Sequence, residues 1–182
     1  MTAQHPEIRP EQSLELLKQL HILTRDGKLN QDSRRKLKQV YHLYQFIEPL
    51  LAEALAERPD VQLVDHGAGK SYLGFILHDL FFKQHAPDGR IHGIETRDEL
   101  VMSSRRLADK LGFSGGMRFH NLTVAESITS ERLPERIDIV TALHACNTAT
   151  DDAIRFALKK GARAIVLVPC CQAEVAAELR KH

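Results

Sequence analysis

The sequence predicts an α/β fold in which a mostly parallel sheet carries helices on both faces. From residue 61 onward, short apolar runs alternate with longer segments of helical periodicity, an order typical of such a sheet. The run at 61–65 ends in a carboxylate followed by two alternating glycines, and the run at 91–95 ends in a second carboxylate. Strand, glycine turn, helix, strand and acid in this order indicate a nucleotide-type pocket.

The chain has 182 residues, enough for one domain of ordinary size with its own core. We expect residues 1–59 to form a helical extension that packs on an α/β core over 60–182. The 25 basic and 24 acidic side chains nearly balance, so no global field calls for nucleic acid or a membrane as partner. The sequence shows no membrane-spanning apolar run and no signal peptide, which predicts a cytoplasmic protein without a membrane partner. It does not indicate an oligomeric state.

The N-terminal extension is expected to contain two helices. Ser13–Leu23 has apolar residues at helical spacing. A longer helix is expected to begin near Asn30 or Asp32, either of which is a good N-cap, and to run toward Arg58. Pro49 falls inside this second run, so we expect a kink or a break there.

Five strands are expected in the core, each ended by glycine, proline or polar residues. They are predicted at 61–65, 91–95, 117–122, 137–143 and 164–168. The helices are predicted at 72–84, 97–111, 125–132, 150–160 and 173–181.

The long N-terminal helix opens with the only dense basic cluster in the chain, Arg34, Arg35, Lys36 and Lys38. One interpretation is a solvated helix surface. The other is a contact to phosphate or to a polyanionic substrate. The sequence leaves both open.

Cysteine usage favours a reducing compartment and no metal site. The three cysteines, Cys146, Cys170 and Cys171, are an odd number and lie late in the chain. No Cys-x-x-Cys pair is present, and an adjacent pair cannot easily direct both sulfurs at one zinc ion.

The glycine turn invites two other interpretations, which its spacing disfavours. A phosphate-binding P-loop would need glycine at Val64, inside the apolar run. A dinucleotide fingerprint counted from Gly67 and Gly69 would need glycine at Tyr72. A turn that binds no ligand remains the simplest alternative, although Glu95 is placed to accept hydrogen bonds from ribose hydroxyls.

The segment Asp65-His-Gly-Ala-Gly-Lys-Ser-Tyr-Leu resembles the first motif of the class I S-adenosylmethionine-dependent methyltransferases, and Glu95 resembles their ribose-binding acid. The segments 142–151 and 168–171 resemble the fourth- and fifth-strand signatures of a subgroup with His-x-Cys and Pro-Cys-Cys motifs. That subgroup includes eukaryotic tRNA 2′-O-methyltransferases and methyltransferase-like proteins without an assigned substrate. The resemblance spans about residues 33–175 and implies a Rossmann-like fold.

The resemblance implies S-adenosylmethionine as cofactor. The residues that it assigns to this ligand lie at the carboxyl ends of predicted strands: Asp65, Gly67 and Gly69 for the methionine portion, Glu95 for the ribose, Asn121 and Leu122 for the adenine edge, and Leu143 and His144 near the transferred methyl group.

The acceptor side is less defined. His144 is the candidate catalytic base, because an imidazole accepts a proton near neutral pH, although a histidine at a strand end is often only packed or hydrogen-bonded. Pro169 and Cys170 are candidate substrate contacts that are as readily explained by packing, and Lys38 is a further candidate. The methyl acceptor is unknown, with RNA suggested by the resemblance.

Two departures from the subgroup affect the expected activity. Asn147 stands where the subgroup usually has glycine, and the chain ends before the two further strands of the full sheet. We therefore expect a C-terminally truncated domain that binds S-adenosylmethionine with little or no turnover. The alternatives are a non-catalytic cofactor-binding or interaction module, and an RNA-binding module that uses the basic helix.

Overall fold

A computed structural model describes residues 6–143, 148–168 and 180 of the chain. Within them, five strands form one sheet in the order β3-β2-β1-β4-β5, and every pair of neighbours is parallel. The strands are β1 (Gln62–His66), β2 (Arg90–Glu95), β3 (Met117–Asn121), β4 (Ile139–Leu143) and β5 (Ala164–Val168). The predicted parallel α/β sheet is confirmed.

The helices of the described residues follow the predicted alternation. They are α1 (Leu14–Gln19), α2 (Gln31–Glu57), α3 (Tyr72–Leu77), α4 (Lys83–His85), α5 (Asp98–Leu111), α6 (Val124–Ser127) and α7 (Thr148–Lys159). A π-helical segment, His78–Phe82, joins α3 to α4 without a break. The helix predicted at 173–181 falls outside the described residues except for Arg180.

The direction in which successive strands are added to the sheet reverses at β1. The first three strands extend the sheet in one direction, and β4 and β5 extend it in the other. Leu63 therefore pairs with Ile91 on one side and with Ile139 on the other. Open α/β sheets bind ligands at the carboxyl ends of the strands flanking such a reversal.

Helix α2 is long because one stripe of its surface is buried. Asn30 caps it, accepting a hydrogen bond from the Ser33 backbone N–H at 2.8 Å. The buried apolar residues recur every three or four positions: Leu37, Val40, Tyr44, Ile47, Leu51 and Ala54.

Of the kink or break expected at Pro49, the break is wrong, because the helix continues through the proline to Glu57. An interior proline costs a helix about 3 kcal/mol. Ile47 and Leu51, on either side of the proline, are fully buried, and their packing offsets that cost.

The sheet separates two apolar layers, with helices on both faces. The larger layer joins Leu63 and Ile91 of the sheet to apolar residues of α1, α2, α3 and α5. The smaller one packs Val64 and Val140 against Phe156 of α7. The N-terminal helices therefore share one core with the sheet. The boundary predicted between residues 59 and 60 stays a prediction.

A buried carboxylate fastens the N-terminal segment to the π-helical segment. Asp79 accepts hydrogen bonds from the Ser13 backbone N–H at 2.7 Å and from the Gln12 side-chain amide. Lys83 Nζ lies 3.5 Å from the same carboxylate, whose side chain is fully buried. The charge is thus compensated, as burial of an ionised group requires.

Two helices are shorter than predicted. Helix α1 ends at Gln19 because His21 has a positive φ of 55° and the Ile22 and Leu23 N–H groups both donate to the Leu17 carbonyl. Helix α6 spans only Val124–Ser127. No helix among the described residues is long and apolar enough to cross a membrane.

We expect Leu51→Ala to lower the free energy of unfolding by about 2–5 kcal/mol, because it leaves a cavity where α2 meets the core. Urea denaturation followed by circular dichroism measures the change. Leu158→Ala is the matched control, since Leu158 is 75% exposed and its truncation removes little packing. Equal effects of the two substitutions would show that α2 does not share the core.

Candidate functional site

The turn after β1 holds three residues in the left-handed region of backbone space. Gly67 has φ 64°, Gly69 has φ 57° and Ser71 has φ 54°. Glycine accepts this conformation at little cost, whereas serine is strained there. A Cβ added at Gly67 would meet nothing within 4 Å, so the turn presents open backbone to the space above the sheet. Their assignment to the methionine portion of a cofactor stays a prediction.

A cavity of about 820 Å³ lies at the carboxyl ends of the strands, beside this turn. Of the residues predicted to bind the cofactor, five line it: Asp65, Gly67, Gly69, Glu95 and Leu143. The sheet brings them together because parallel strands end at the same edge.

Asp65 is the buried acid of this cavity. Its side chain accepts a hydrogen bond from Thr141 Oγ1 at 2.7 Å, across the β1–β4 pair. Burial disfavours the charged form and raises the pKa of Asp65 to about 6, although the bond from Thr141 works in the opposite direction. The carboxyl is therefore mostly ionised at pH 7, and a small fall in pH protonates it.

Glu95, at the end of β2, is held as a carboxylate. Its Oε2 accepts the Gly69 backbone N–H at 2.9 Å, and its Oε1 accepts the backbone N–H and the Nε of Arg97, both at 3.0 Å. Arg97 Nη2 lies 3.2 Å from Oε2. Burial raises the pKa of Glu95, but the hydrogen bonds from Arg97 and Gly69 outweigh it and lower the pKa to about 2.

Two contributions to the cavity were not predicted from the sequence. One is Arg97, whose guanidinium covers Glu95 and lies 4.0 Å from the Cβ position of Gly69. The other is a face of α2, which supplies Lys36, Gln39, Val40, His42 and Leu43. Lys36, Val40 and Leu43 follow helical spacing, so this face was visible in the sequence, but nothing there indicated that it turns toward the strand ends.

Two predicted adenine contacts lie outside this lining. The Asn121 side-chain amide donates to the Thr96 carbonyl at 2.8 Å and to the Glu95 carbonyl at 3.3 Å, which joins the ends of β2 and β3. Leu122 follows it and packs against the smaller apolar layer. Both are therefore beside the cavity and not in its wall.

The residues predicted for the acceptor side are mostly outside the described residues. This applies to His144, Pro169 and Cys170. Lys38 lies instead in a neighbouring cavity of about 420 Å³, which shares His42 with the larger one. In the part of the chain that the structure describes, no group of three or more His, Cys, Asp or Glu side chains could hold a metal ion.

The side chains of the basic cluster, Arg34, Arg35, Lys36 and Lys38, have different surroundings on helix α2. Arg34 forms an ion pair with Glu7 at 3.0 Å, and Arg35 lies 3.8 Å from Asp32. Lys36 reaches the larger cavity, 6.0 Å from the centre of the Tyr72 ring. The four cations therefore do not act as one surface.

Known proteins resemble this chain over most of its length. A family described as "Methyltransferase domain" matches residues 35–178. The human and mouse proteins named "Glutathione S-transferase C-terminal domain-containing protein" are 26% and 25% identical over 150 residues, which are 82% of this chain. The chain spans about a fifth of the length of these relatives, 21% in each case.

A solved structure of an rRNA methylase from Streptococcus thermophilus has the same fold. It aligns with a TM-score of 0.51 and 15% sequence identity, over 75% of this chain and 78% of that one.

We expect Asp65→Asn to stabilise the protein more at pH 7.5 than at pH 4. Because the folded-state pKa is raised from 3.8 to about 6, the stability contributed by this group is present below pH 3.8 and is lost as the pH rises toward 6. The asparagine carries no such penalty, so its advantage should grow by about 2 kcal/mol between the two pH values. Urea denaturation at both values measures it; an advantage that does not change with pH would contradict the raised pKa.

Proposed function

The chain belongs to the methyltransferase-domain family, and we propose that its larger cavity binds S-adenosylmethionine for methyl transfer. One observation carries the proposal. Asp65, the Gly67–Gly69 turn and Glu95 converge on one cavity at the reversal of a parallel sheet, inside the segment that the family matches.

The residues present fit this cofactor. The open backbone at Gly67 and Gly69 would receive the methionine portion, with Asp65 beside its ammonium group. Because both the ammonium and the sulfonium are cations, an ionised Asp65 favours binding, and the cavity of about 820 Å³ leaves room for part of an acceptor. Asn121 and Leu122 would lie near the adenine.

Glu95 would hold the ribose only after a rearrangement. A carboxylate offers about four acceptor positions. Here two main-chain N–H groups and two N–H groups of the Arg97 guanidinium already use them. Ribose hydroxyls therefore compete with the Arg97 side chain, which is 61% exposed and free to move into solvent.

When bound, the cofactor supplies an activated methyl group that a nucleophile displaces from sulfur. The chain's own contribution is to bind and align the reactants and to remove the acceptor's proton where this is needed. We assign removal of that proton to His144 and the acceptor contacts to Pro169 and Cys170, on the basis of the subgroup resemblance. Lys38, from the basic cluster that opens the long N-terminal helix, is a further candidate contact.

RNA is the acceptor that we propose to test first. The resemblance of the His-x-Cys and Pro-Cys-Cys segments to tRNA 2′-O-methyltransferases supports this choice, and Lys36 adds a cation to the cavity wall. The alternative is a cofactor-binding module without turnover. Incubation with methyl-labelled S-adenosylmethionine distinguishes them, with total RNA, protein and metabolite extracts offered in separate reactions. Incorporation into RNA supports the RNA methyltransferase, and cofactor binding without incorporation in any of the three reactions supports the module.

We expect calorimetric titration to show S-adenosylmethionine binding that Asp65→Ala and Glu95→Ala each weaken at least tenfold. Each removes a charge-assisted contact worth about 1.5–3 kcal/mol. Glu131→Ala is the control, because Glu131 is exposed and remote from the cavity lining. If the parent chain binds neither the cofactor nor its demethylated product, the cofactor assignment is wrong.

Arg97→Ala should tighten binding of the cofactor by up to about fivefold, because it removes the side chain that competes for Glu95. The limit follows from the value of an exposed ion pair, about 0.2–1 kcal/mol. The same titration measures the change, with Arg155→Ala as control, since Arg155 forms an exposed pair with Asp152 elsewhere. Weaker binding in the Arg97 variant would show instead that Arg97 orients the carboxylate.

A further inference from the structure

A further cavity, of about 410 Å³, lies along β3 at the edge of the described sheet. Three arginines line it, each from a different part of the chain: Arg105 from α5, Arg118 from β3 and Arg132 from the segment after α6. This cavity shares no lining residue with the larger cavity. The two cavities are therefore separate.

Within the described part of the chain, the three guanidinium groups have no carboxylate partner. Other described arginines, such as Arg58 and Arg163, form ion pairs, whereas none of these three pairs with a described Asp or Glu. All three residues are exposed at the surface.

Main-chain carbonyls hold two of these side chains in place. Arg105 donates to the Phe119 carbonyl from Nε at 3.1 Å and from Nη2 at 2.6 Å. Arg118 donates from one nitrogen, Nη1, to the carbonyls of Met117 and Ser114. A carbonyl orients a guanidinium without neutralising it, so the positive charge stays available.

One carboxylate lines the same cavity and is engaged with a neutral group. Asp109 accepts a hydrogen bond from the Ser114 hydroxyl. The lining thus carries three positive charges and one negative charge, an excess that favours an anion.

His120 forms the inner wall of this cavity, and the charges of the three arginines affect its pKa. It is 9% exposed, and its Nε2 lies 3.2 Å from Nδ1 of His92. Burial is the main cause that lowers the pKa of His120 to about 4, and the charges of Arg105, Arg132 and Arg118 lower it further. The imidazole is therefore neutral at pH 7 and available for hydrogen bonding, and all three charges act on the same point.

We propose that this cavity binds a phosphate group, held by the guanidinium groups of Arg105, Arg118 and Arg132 against the wall formed by His120. Three guanidinium groups that line one cavity without a described carboxylate partner suit the oxygens of a phosphate, with which arginine forms short, charge-assisted hydrogen bonds. The phosphate belongs either to a free anion or to a polynucleotide backbone, which present the same oxygens.

The test is an NMR titration of the ¹⁵N-labelled chain with inorganic phosphate, against sodium chloride at equal ionic strength. We expect saturable shifts of the Arg118 and His120 amides. The variant Arg118→Gln/Arg132→Gln should bind phosphate at least tenfold more weakly, since it loses two charge-assisted contacts. Arg105 is left intact because it also donates two hydrogen bonds to the Phe119 carbonyl in the edge strand β3.

The control variant, Arg25→Gln/Arg155→Gln, removes the same charge from exposed positions outside this cavity and should bind phosphate like the parent chain. Absence of saturable shifts in the parent would overturn the proposal. Equal affinity of the parent and the Arg118→Gln/Arg132→Gln variant would overturn it as well, even if phosphate binds elsewhere.

A uridine dodecamer identifies the source of the phosphate. Binding much tighter than that of inorganic phosphate, with affinity that falls steeply as salt rises, assigns the site to a polynucleotide backbone. Dodecamer binding no tighter than that of inorganic phosphate assigns it to the free anion. S-adenosylmethionine binding is measured separately and does not depend on either result.

Discussion

The central constraint on this molecule is the parallel pairing of β1 with both β2 and β4. Because of this pairing, the strand order reverses directly beside Asp65. The hydrogen bond from Thr141 to Asp65 joins β4 to β1 at this point. The glycine turn, the end of β2 and the end of β4 all meet at this point because of the same pairing. A parallel sheet thereby converts residues far apart in the sequence into one cavity wall.

The pKa values of the two carboxylates in that wall, Asp65 and Glu95, are shifted in opposite directions. Asp65 is buried with one hydroxyl donor, so its pKa is raised to about 6, whereas Glu95 has several donors and a guanidinium, so its pKa is lowered to about 2. Near neutral pH, Glu95 is thus a fixed charge and Asp65 is a charge that responds to its surroundings. A cation arriving beside Asp65 would lower the pKa of that carboxyl and secure its ionised form.

The sequence predicted the sheet well because its signals are local. Strand β5 was predicted to the residue, and Asp65, Gly67, Gly69 and Glu95 follow from the ends of apolar runs. The uninterrupted helix at Pro49 could not be predicted, because its cause is burial of neighbouring side chains in tertiary packing. The same holds for the Arg97 side chain and for the α2 face at the cavity, which depend on how elements pack and not on their periodicity.

Helix α2 belongs both to the cavity wall and to the larger apolar layer. Lys36 and Val40 belong to the same helix whose buried stripe closes the larger apolar layer, and Val40 belongs to both. A ligand that contacts this face draws part of its binding energy from α2, so by linkage it holds the helix against the sheet. The rate at which a protease cuts within residues 31–57 is therefore a measure of whether the cavity is occupied.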